Sequence, residues 1–439
     1  MRTIKKSIPE ELHLKLQKKS AQIGVMGLGY VGLPTALYYV EKGYSVIGFD
    51  VSEKIVKNLN KGISHITDIS NNQLEFINEQ GNFQAVTNMK KIQEMDVIFI
   101  CVPTPISSTK EPDLTYVKTA GLMIADYVSQ GTLVILESTT YPGTTEEYIC
   151  KPLREKGYTI GEQIFVAFSP ERIDPGNQEF SLANTPKVVG GITTTCTDLA
   201  STCIGSAAYP VKDVRVAELS KVFENTFRWI NIALVNELAI LCHELDINVW
   251  ETIEAASTKP YGFMRFIPGI GVGGHCIPVD PYYLTYKAKE HGLSTKMIEI
   301  AGQINEAMPK YTYIRILELL AEQDKLLKKS HIVVLGATYK DNIGDLRESP
   351  IMRLIEQLQY KVKTLTIIEP HAEVITKHPN VQVVKSYNSS LIRNSDLVII
   401  GASHDVFYWE DIHNNANLIF DPKNILPQKG YNSSIINTL

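Results

Sequence analysis

"QIGVMGLGYVGLPTALYYVEKGYSVIGFDV", residues 22–51, decides how the rest of the chain is read. An apolar run ends at Met26, glycines stand at 27, 29 and 32, a helical stretch follows, and a second apolar run closes at Asp50. Strand, glycine turn, helix, strand is the order of a mononucleotide-binding half. The glycines permit a tight turn and close backbone approach to a pyrophosphate, with Tyr30 and Val31 in the same turn. The helix amino terminus then faces the phosphates. Asp50, 23 residues after Gly27, suits ribose hydroxyls and would repel a 2′-phosphate, which selects NAD over NADP. A bare tight turn is the plain alternative. The strand before, the helix after and the acid at this distance favour the cofactor.

Outward from this unit the same texture continues. "DVIFICVPTP" (96–105), "TLVILEST" (132–139) and "IFVAFSP" (164–170) are short runs rich in Val, Ile and Phe, each ending in polar residues or proline. Such runs predict buried parallel strands whose carboxyl ends carry loops. Pro103, Thr104, Ser138 and Thr139 therefore fall at the rim of the cofactor crevice, unless they are only loop punctuation. Residues 1–205 form a first doubly wound domain, with a short helical extension before Gln22. "RVAELSKVFENTFRWINIALVNELAILCHELDI" (215–247) has no glycine or proline. Its Leu219, Val222, Phe223, Phe227, Ile230, Leu234, Leu238 and Leu241 repeat at helical spacing, which predicts one long helix with a covered stripe. Residues 206–325 form a helical connector. From "HIVVLGATYKDNIGDLRESP" (331–350) onward, "TLTIIEP", "DLVIIGA" and "NLIFDP" give a second α/β unit, 326–439, without a glycine fingerprint. The expected fold class is α/β, with two Rossmann-like doubly wound domains joined by a central helical domain with one long helix.

Composition narrows the function classes. Of 439 residues, 44% are hydrophobic and 21% charged, the profile of an ordinary soluble protein. A formal net charge of −5 gives no nucleic-acid footprint, so an anionic ligand must be held by local cations. No run long enough for a membrane span occurs and the start does not read as a signal peptide, so a cytoplasmic location with no membrane partner is expected. The six cysteines are scattered, which reads as reduced thiols, and the ten histidines show no zinc-binding spacing, so no metal is expected.

The chemistry-bearing residues lie further along. "SPERIDPG" (169–176) places Glu171 and Arg172 at a strand end, where a surface carboxylate is the bland reading. Lys221 and Asn225 share a helix face; the apolar neighbours Leu219, Val222 and Phe223 predict that this stretch is covered, so both need partners. In "PGIGVGGHCIPVDPYYL" (268–284), four glycines between 269 and 274 lead into His275 and Cys276, with Asp280 four residues on. A glycine-dense loop suits close approach of backbone to a bulky ligand. A thiolate is a nucleophile that a nearby cation stabilises, and Lys221 or His275 can supply the cation. An enzyme that only interconverts alcohol and carbonyl needs no thiol. One that proceeds to the acid does, because an aldehyde has a hydride to give only after a nucleophile has added.

"GLGYVGLPTA", "VPTP", "EST", "SPERIDPG", "ELSKVFENTFR", "PGIGVGGHCIPVDPYYL" and "YKDNIGDLRESP" together resemble the UDP-glucose/GDP-mannose dehydrogenase family, in family order over nearly the whole chain. The resemblance implies NAD-dependent oxidation of a nucleotide sugar's primary alcohol to a carboxylate. "GGHCIPVDP" and "KPYGFMRFIPG" look like the branch acting on UDP-N-acetylhexosamines, UDP-N-acetylglucosamine before UDP-N-acetylmannosamine, UDP-N-acetylgalactosamine or UDP-glucose. It implies Cys276 as nucleophile, Lys221 as oxyanion stabiliser, Asn225 holding the sugar, and Asp280 in proton transfer. It further implies Glu171 in thioester hydrolysis, Thr139 ordering water, Lys340 on the UDP phosphates and Arg347 reaching the cofactor. Arg172, Tyr261, Arg265 and Gly273 are expected at the substrate, with Arg265 the candidate donated to a neighbouring subunit of a homodimer. Glucose-specific members carry a second glutamate where this chain has Pro175, which leaves the hydrolytic base open between Glu171 and Asp280. Two other classes compete: a β-hydroxyacid dehydrogenase, which needs neither Cys276 nor residues 331–439, and a non-catalytic nucleotide-sugar or NAD sensor.

Overall fold

In a computed structural model, residues 6–66, 69–172, 179–182, 184–376 and 378–439 are described; Pro175 lies outside them. The chain divides into two compact units, Met1–Glu224 with Tyr282–Leu293, and Asn225–Pro281 with Ser294–Leu439.

The first unit holds an eight-stranded sheet in the order β3-β2-β1-β4-β5-β6-β7-β8. The strands are β1 (Gln22–Met26), β2 (Ser45–Phe49), β3 (Phe83–Val86), β4 (Val97–Ile100), β5 (Leu133–Leu136), β6 (Phe165–Phe168), β7 (Lys187–Gly191) and β8 (Ala208–Val211). β1 to β6 pair in parallel; β7 runs antiparallel to β6. β4, β5 and β6 are buried at every position. That is why they read as unbroken apolar runs: each strand is covered on both faces. The sequence order reverses between β1 and β4, and the carboxyl ends there are where open α/β sheets bind ligands. The helix Ile8–Gln17 caps the unit, burying Leu12 and Leu16.

The second unit holds a six-stranded sheet, β11-β10-β9-β12-β13-β14, all pairs parallel. Its strands are β9 (His331–Leu335), β10 (Thr364–Ile368), β11 (Val381–Val384), β12 (Leu397–Ile400), β13 (Ile419–Phe420) and β14 (Ile436–Asn437). Alternation along β9 serves two cores. Ile332 and Val334 pack with Trp250, Met308, Ile316 and Leu354 from helices, while Val333 and Leu335 pack with Ile392, Phe407 and Ile412.

The long helix forms over Val214–Glu244, as its composition predicts, but the covered stripe is not the expected one. Val222 is fully buried, whereas Leu219, Phe223, Phe227, Leu234 and Leu241 are exposed. The buried face runs through Ala217, Glu218, Asn225, Trp229, Ala233, Asn236 and Ala239. Apart from Trp229 these side chains are small or polar, which lets the helix lie close to its neighbours, while Phe223, Phe227 and Leu234 are left on the outside. Among the described residues no helix is long and apolar enough to cross a membrane.

Candidate active site

The dinucleotide cradle is built as the glycine spacing implies. Gly27 follows β1 with φ 87° and donates to Phe49 O at 2.8 Å. A Cβ on Gly32 would lie 1.7 Å from Gly27 O, so only glycine lets the helix Gly32–Glu41 start against this turn. Gly29 meets nothing within 4 Å, which leaves its backbone open to a ligand. Tyr30 and Val31 are half-buried beside it. Asp50 is half-buried and accepts from Leu28 N–H at 3.0 Å through Oδ2 and from Ser52 N–H at 2.9 Å through Oδ1. Each oxygen keeps a lone pair for a hydroxyl donor. These residues fit NAD.

At the rim, Pro103 is exposed and Thr104 is buried with its carbonyl accepting from Tyr283 OH at 2.7 Å. Ser138 spends its hydroxyl on Val102 O at 2.7 Å and Ile100 O at 3.2 Å, so it ties the "EST" turn to the end of β4. Thr139 is half-buried next to it.

Glu171 is 7% exposed. Its Oε1 accepts from Arg172 N–H at 2.7 Å and its Oε2 lies 3.5 Å from Lys187 Nζ. Lys187, from β7, also pairs with Glu137, the acid of "EST", which is completely buried. Glu137 Oε2 in turn accepts from Cys101 Sγ and Thr35 Oγ1, each at 3.2 Å. Burial works against the Lys187 ammonium, but Glu137 and Glu171 more than offset it and hold its pKa above the ordinary lysine value. The sequence reading missed Lys187 and Glu137 as partners of Glu171. The only signal was a lysine opening the buried run "KVVGG". Arg172 donates to Pro186 O at 2.6 Å and pairs with Glu224. Lys221 is half-buried on the long helix, and its neighbours Leu219 and Phe223 are 43% and 62% exposed, so the expected covering is absent on that side.

In the second unit, Asn225 and Asp280 come together: Asn225 Nδ2 donates to Asp280 Oδ2 at 2.5 Å, both buried. Asp280 opens the helix Asp280–Glu290, and the carbonyl of Cys276 accepts from Val279 N–H at 3.1 Å and Asp280 N–H at 2.8 Å. Of the six cysteines, five are buried and Cys276 is exposed. Burial first, then the Arg347 guanidinium, pushes His275 below the ordinary histidine range, which disfavours its charged form.

The glycines before Cys276 answer to the chain's own packing. A Cβ on Gly273 would lie 2.5 Å from Tyr339 Cβ, and one on Gly274 2.9 Å from the Tyr339 ring; Gly271, at φ 136°, is crowded by Asn305 and Pro350. Gly274 N–H donates to Arg347 O at 3.1 Å, joining the cysteine loop to the segment after β9. Only Gly269 is open, and its N–H is held by Asn236 Oδ1 at 3.0 Å. Arg347 is bidentate to Asp345, with contacts of 2.6–3.0 Å, and remains 41% exposed. Lys340 is half-buried in the same segment. Tyr261 is 72% exposed and Arg265 is exposed with a 3.5 Å contact to Glu254. No group of three or more candidate metal ligands occurs among the described residues.

The first unit carries a dinucleotide cradle, and the second carries the exposed Cys276 and the buried Asp280. The UDP-glucose/GDP-mannose dehydrogenase family models match as the NAD-binding domain over residues 21–204, the central domain over 215–307 and the UDP-binding domain over 333–428. The chain belongs to this family and is an NAD-dependent oxidoreductase with a UDP-sugar-binding domain. It is 35% identical over 416 residues to UDP-N-acetyl-D-mannosamine dehydrogenase of Pyrococcus horikoshii, covering 93% of this chain and 96% of the relative. It is 34% identical over 421 residues to UDP-N-acetyl-D-glucosamine 6-dehydrogenase of Salmonella typhi, covering 92% and 96%. The solved structure of the Pyrococcus horikoshii UDP-D-ManNAc dehydrogenase superposes with a TM-score of 0.84 at 33% identity, covering 95% and 98%.

Proposed function

We propose that this protein oxidises C6 of a UDP-N-acetylhexosamine, UDP-N-acetylglucosamine first, to the uronic acid through a thioester on Cys276. The observation that carries the reading is the exposed Cys276 ahead of a helix whose first residue, Asp280, is buried and fixed by Asn225. Bound NAD supplies the hydride acceptor for each of the two oxidations. Cys276 adds to the C6 aldehyde, which gives the second oxidation a hydride to remove and leaves the acyl group on sulfur. Lys221 stabilises the oxyanion by fixed charge, and one such donor is worth about 3–4 kcal/mol. Asn225 holds the sugar and Asp280, Thr139 serves the water, and Glu171 takes the water proton when the thioester is hydrolysed. Lys340 binds the UDP phosphates and Arg347 reaches the cofactor. Arg172, Tyr261 and Gly273 border the substrate.

Residues 1–205, 206–325 and 326–439 serve as cofactor, connector and UDP-sugar domains. The chain acts in the cytoplasm as a homodimer: the exposed stripe of Phe223, Phe227 and Leu234 supports burial against a second copy, with Arg265 donated across. Phe223→Asp with Leu234→Asp should give monomers in sedimentation; an unchanged dimer would move the interface elsewhere. UDP-N-acetylmannosamine is the second reading, because relatives named for the two sugars are equally similar. Turnover of both UDP-sugars and UDP-glucose separates these readings. The good substrate should yield two NADH and one carboxylate, and Cys276→Ala should yield no acid. Near-normal acid from Cys276→Ala would end the thioester reading.

A further inference from the structure

We propose that Lys187 is a positioning residue for the hydrolytic half of the reaction: its ammonium, braced by Glu137, holds the Glu171 carboxylate as the acceptor of the water proton. The inference rests on the reading of Glu171 as the hydrolytic base.

Three charged side chains from three strand ends meet here, with exposures of 0%, 9% and 10% for Glu137, Glu171 and Lys187. One lysine faces two carboxyl groups in a buried place. Such a cluster is a poor source of stability, since apolar packing of the same volume usually does as well or better. A strut would need one carboxylate, and Glu137 alone satisfies Lys187 at close contact while accepting from Thr35 and Cys101. Glu171 stands further off, at 3.5 Å, with its other oxygen fixed by Arg172 N–H. At that distance the ammonium faces the neighbouring carboxylate without capturing it in a tight pair. A buried carboxylate lacking such a cation takes up a proton and ceases to be a base.

Other groups face the cluster. Cys101, Cys203 and Tyr39 feel Lys187 or Glu137, and burial first pushes all three up, Cys203 to about 12. They stay protonated near neutrality. Arg172 is engaged by Glu224 and Pro186. Burial also pushes Glu137 up, with Lys187 opposing it. In the step itself a water oxygen bonds to the acyl carbon, the C–Sγ bond breaks, Cys276 leaves as thiolate and Glu171 takes one water proton. The second proton is lost when the acid product ionises.

The test uses full-length enzyme with NAD and the UDP-sugar it turns over. Intact mass after an acid quench reports acyl-enzyme on Cys276, and kcat is followed against pH. Glu137→Gln/Lys187→Met removes the strut and the cation together, so Glu137 is not left as an unpaired charge. It should accumulate acyl-enzyme, hydrolyse about tenfold more slowly at pH 7, and recover as pH rises, its acid limb moved up by about one unit. KM and the first NADH burst should not change. Lys187→Arg keeps the charge and should keep the parent limb, and Glu137→Gln alone should not accumulate acyl-enzyme. Glu171→Gln should accumulate it at every pH. A parent-like pH profile and no adduct in the double variant overturn the role of Lys187, as does an arginine variant that shifts as far as the double variant. Absence of adduct in Glu171→Gln instead removes Glu171 as the base, and the inference with it.

Discussion

After β1, Gly27 turns with φ 87° and donates to Phe49 O at 2.8 Å; after β9, Gly336 turns with φ 76° and donates to Ile368 O at 2.9 Å. The two sheets repeat further details. Asp96 accepts from Gln22 N–H and pairs with Lys15, and Asp396 accepts from His331 N–H and pairs with Lys325. Each sheet also places an acid just beyond its second strand, Asp50 or Glu369, bonded back to the turn after the first. The two acids then diverge. Asp50 is half-buried and holds one N–H on each oxygen. Glu369 is fully buried and accepts from Ala337, Thr338, His371 and Ala372 N–H groups and from His404. His404 Nδ1 accepts from Asn342 N–H, and its Nε2 faces Glu369 Oε2 at 3.3 Å. One frame therefore carries an acid open to a ligand and an acid closed into the structure. The turn after β9 accordingly carries no glycine fingerprint.

The largest expected effect separates two glycines of the open unit. Gly32→Ala places a Cβ 1.7 Å from a backbone oxygen that no rotamer change can move. It should cost more than about 3 kcal/mol in urea unfolding of the first unit and remove NAD binding with it. Gly29→Ala meets nothing within 4 Å and should unfold like the parent, yet bind NAD at least about tenfold more weakly by fluorescence titration. Equal losses of stability in both would show that the open position is packing, not approach.

Next comes the closed acid. Burial pushes Glu369 up, but His404 and the backbone donors outweigh it and bring it from 4.5 down to about 2. At about 1.4 kcal/mol per unit, this favours the folded state by about 3 kcal/mol. Because the folded value is depressed, that stability is present above pH 4.5 and is lost as pH falls towards 2. Glu369→Gln turns an amide donor toward N–H donors and should destabilise by about 3 kcal/mol at pH 7. Its stability should also be flatter than the parent's between pH 4.5 and 2. A parent-like acid limb in the variant would assign the limb to other carboxylates.

These contrasts also mark what the sequence could say. The cradle was legible because Gly32 is forced by the Gly27 carbonyl five residues before it and Gly27 by its own positive φ, and β4 to β6 because a strand covered on both faces is apolar throughout. The long helix was legible in length but not in orientation: its buried face is Ala217, Asn225, Ala233 and Asn236, while Phe223 and Leu234 point outward. The four glycines before Cys276 read as room for a ligand, but three of them are fixed by Asn305, Tyr339 and Pro350, residues far along the chain. Lys187 with Glu137 is a pairing across 50 residues, and Glu369 with His404 one across 35. No local period records them, since the sheet order alone brings them together.

The smallest expected effect on stability is at Asp50, and it sharpens the comparison most. Asp50→Asn keeps the shape and one acceptor oxygen, so either Leu28 N–H or Ser52 N–H loses its partner. Because the site is half-buried, water replaces that bond, and unfolding should change by no more than about 1 kcal/mol, a third of the cost at Glu369. The ligand should register the change more strongly. A carboxylate here would exclude a 2′-phosphate by like charge and accept from ribose hydroxyls; an amide would do neither as well. The NAD to NADP ratio of kcat/KM should fall by about tenfold or more, with loss of NAD affinity contributing. Glu369→Gln should leave that ratio unchanged. If Asp50→Asn destabilised as much as Glu369→Gln and left the ratio intact, both acids would be parts of the frame and the cofactor preference would have to come from elsewhere in the turn.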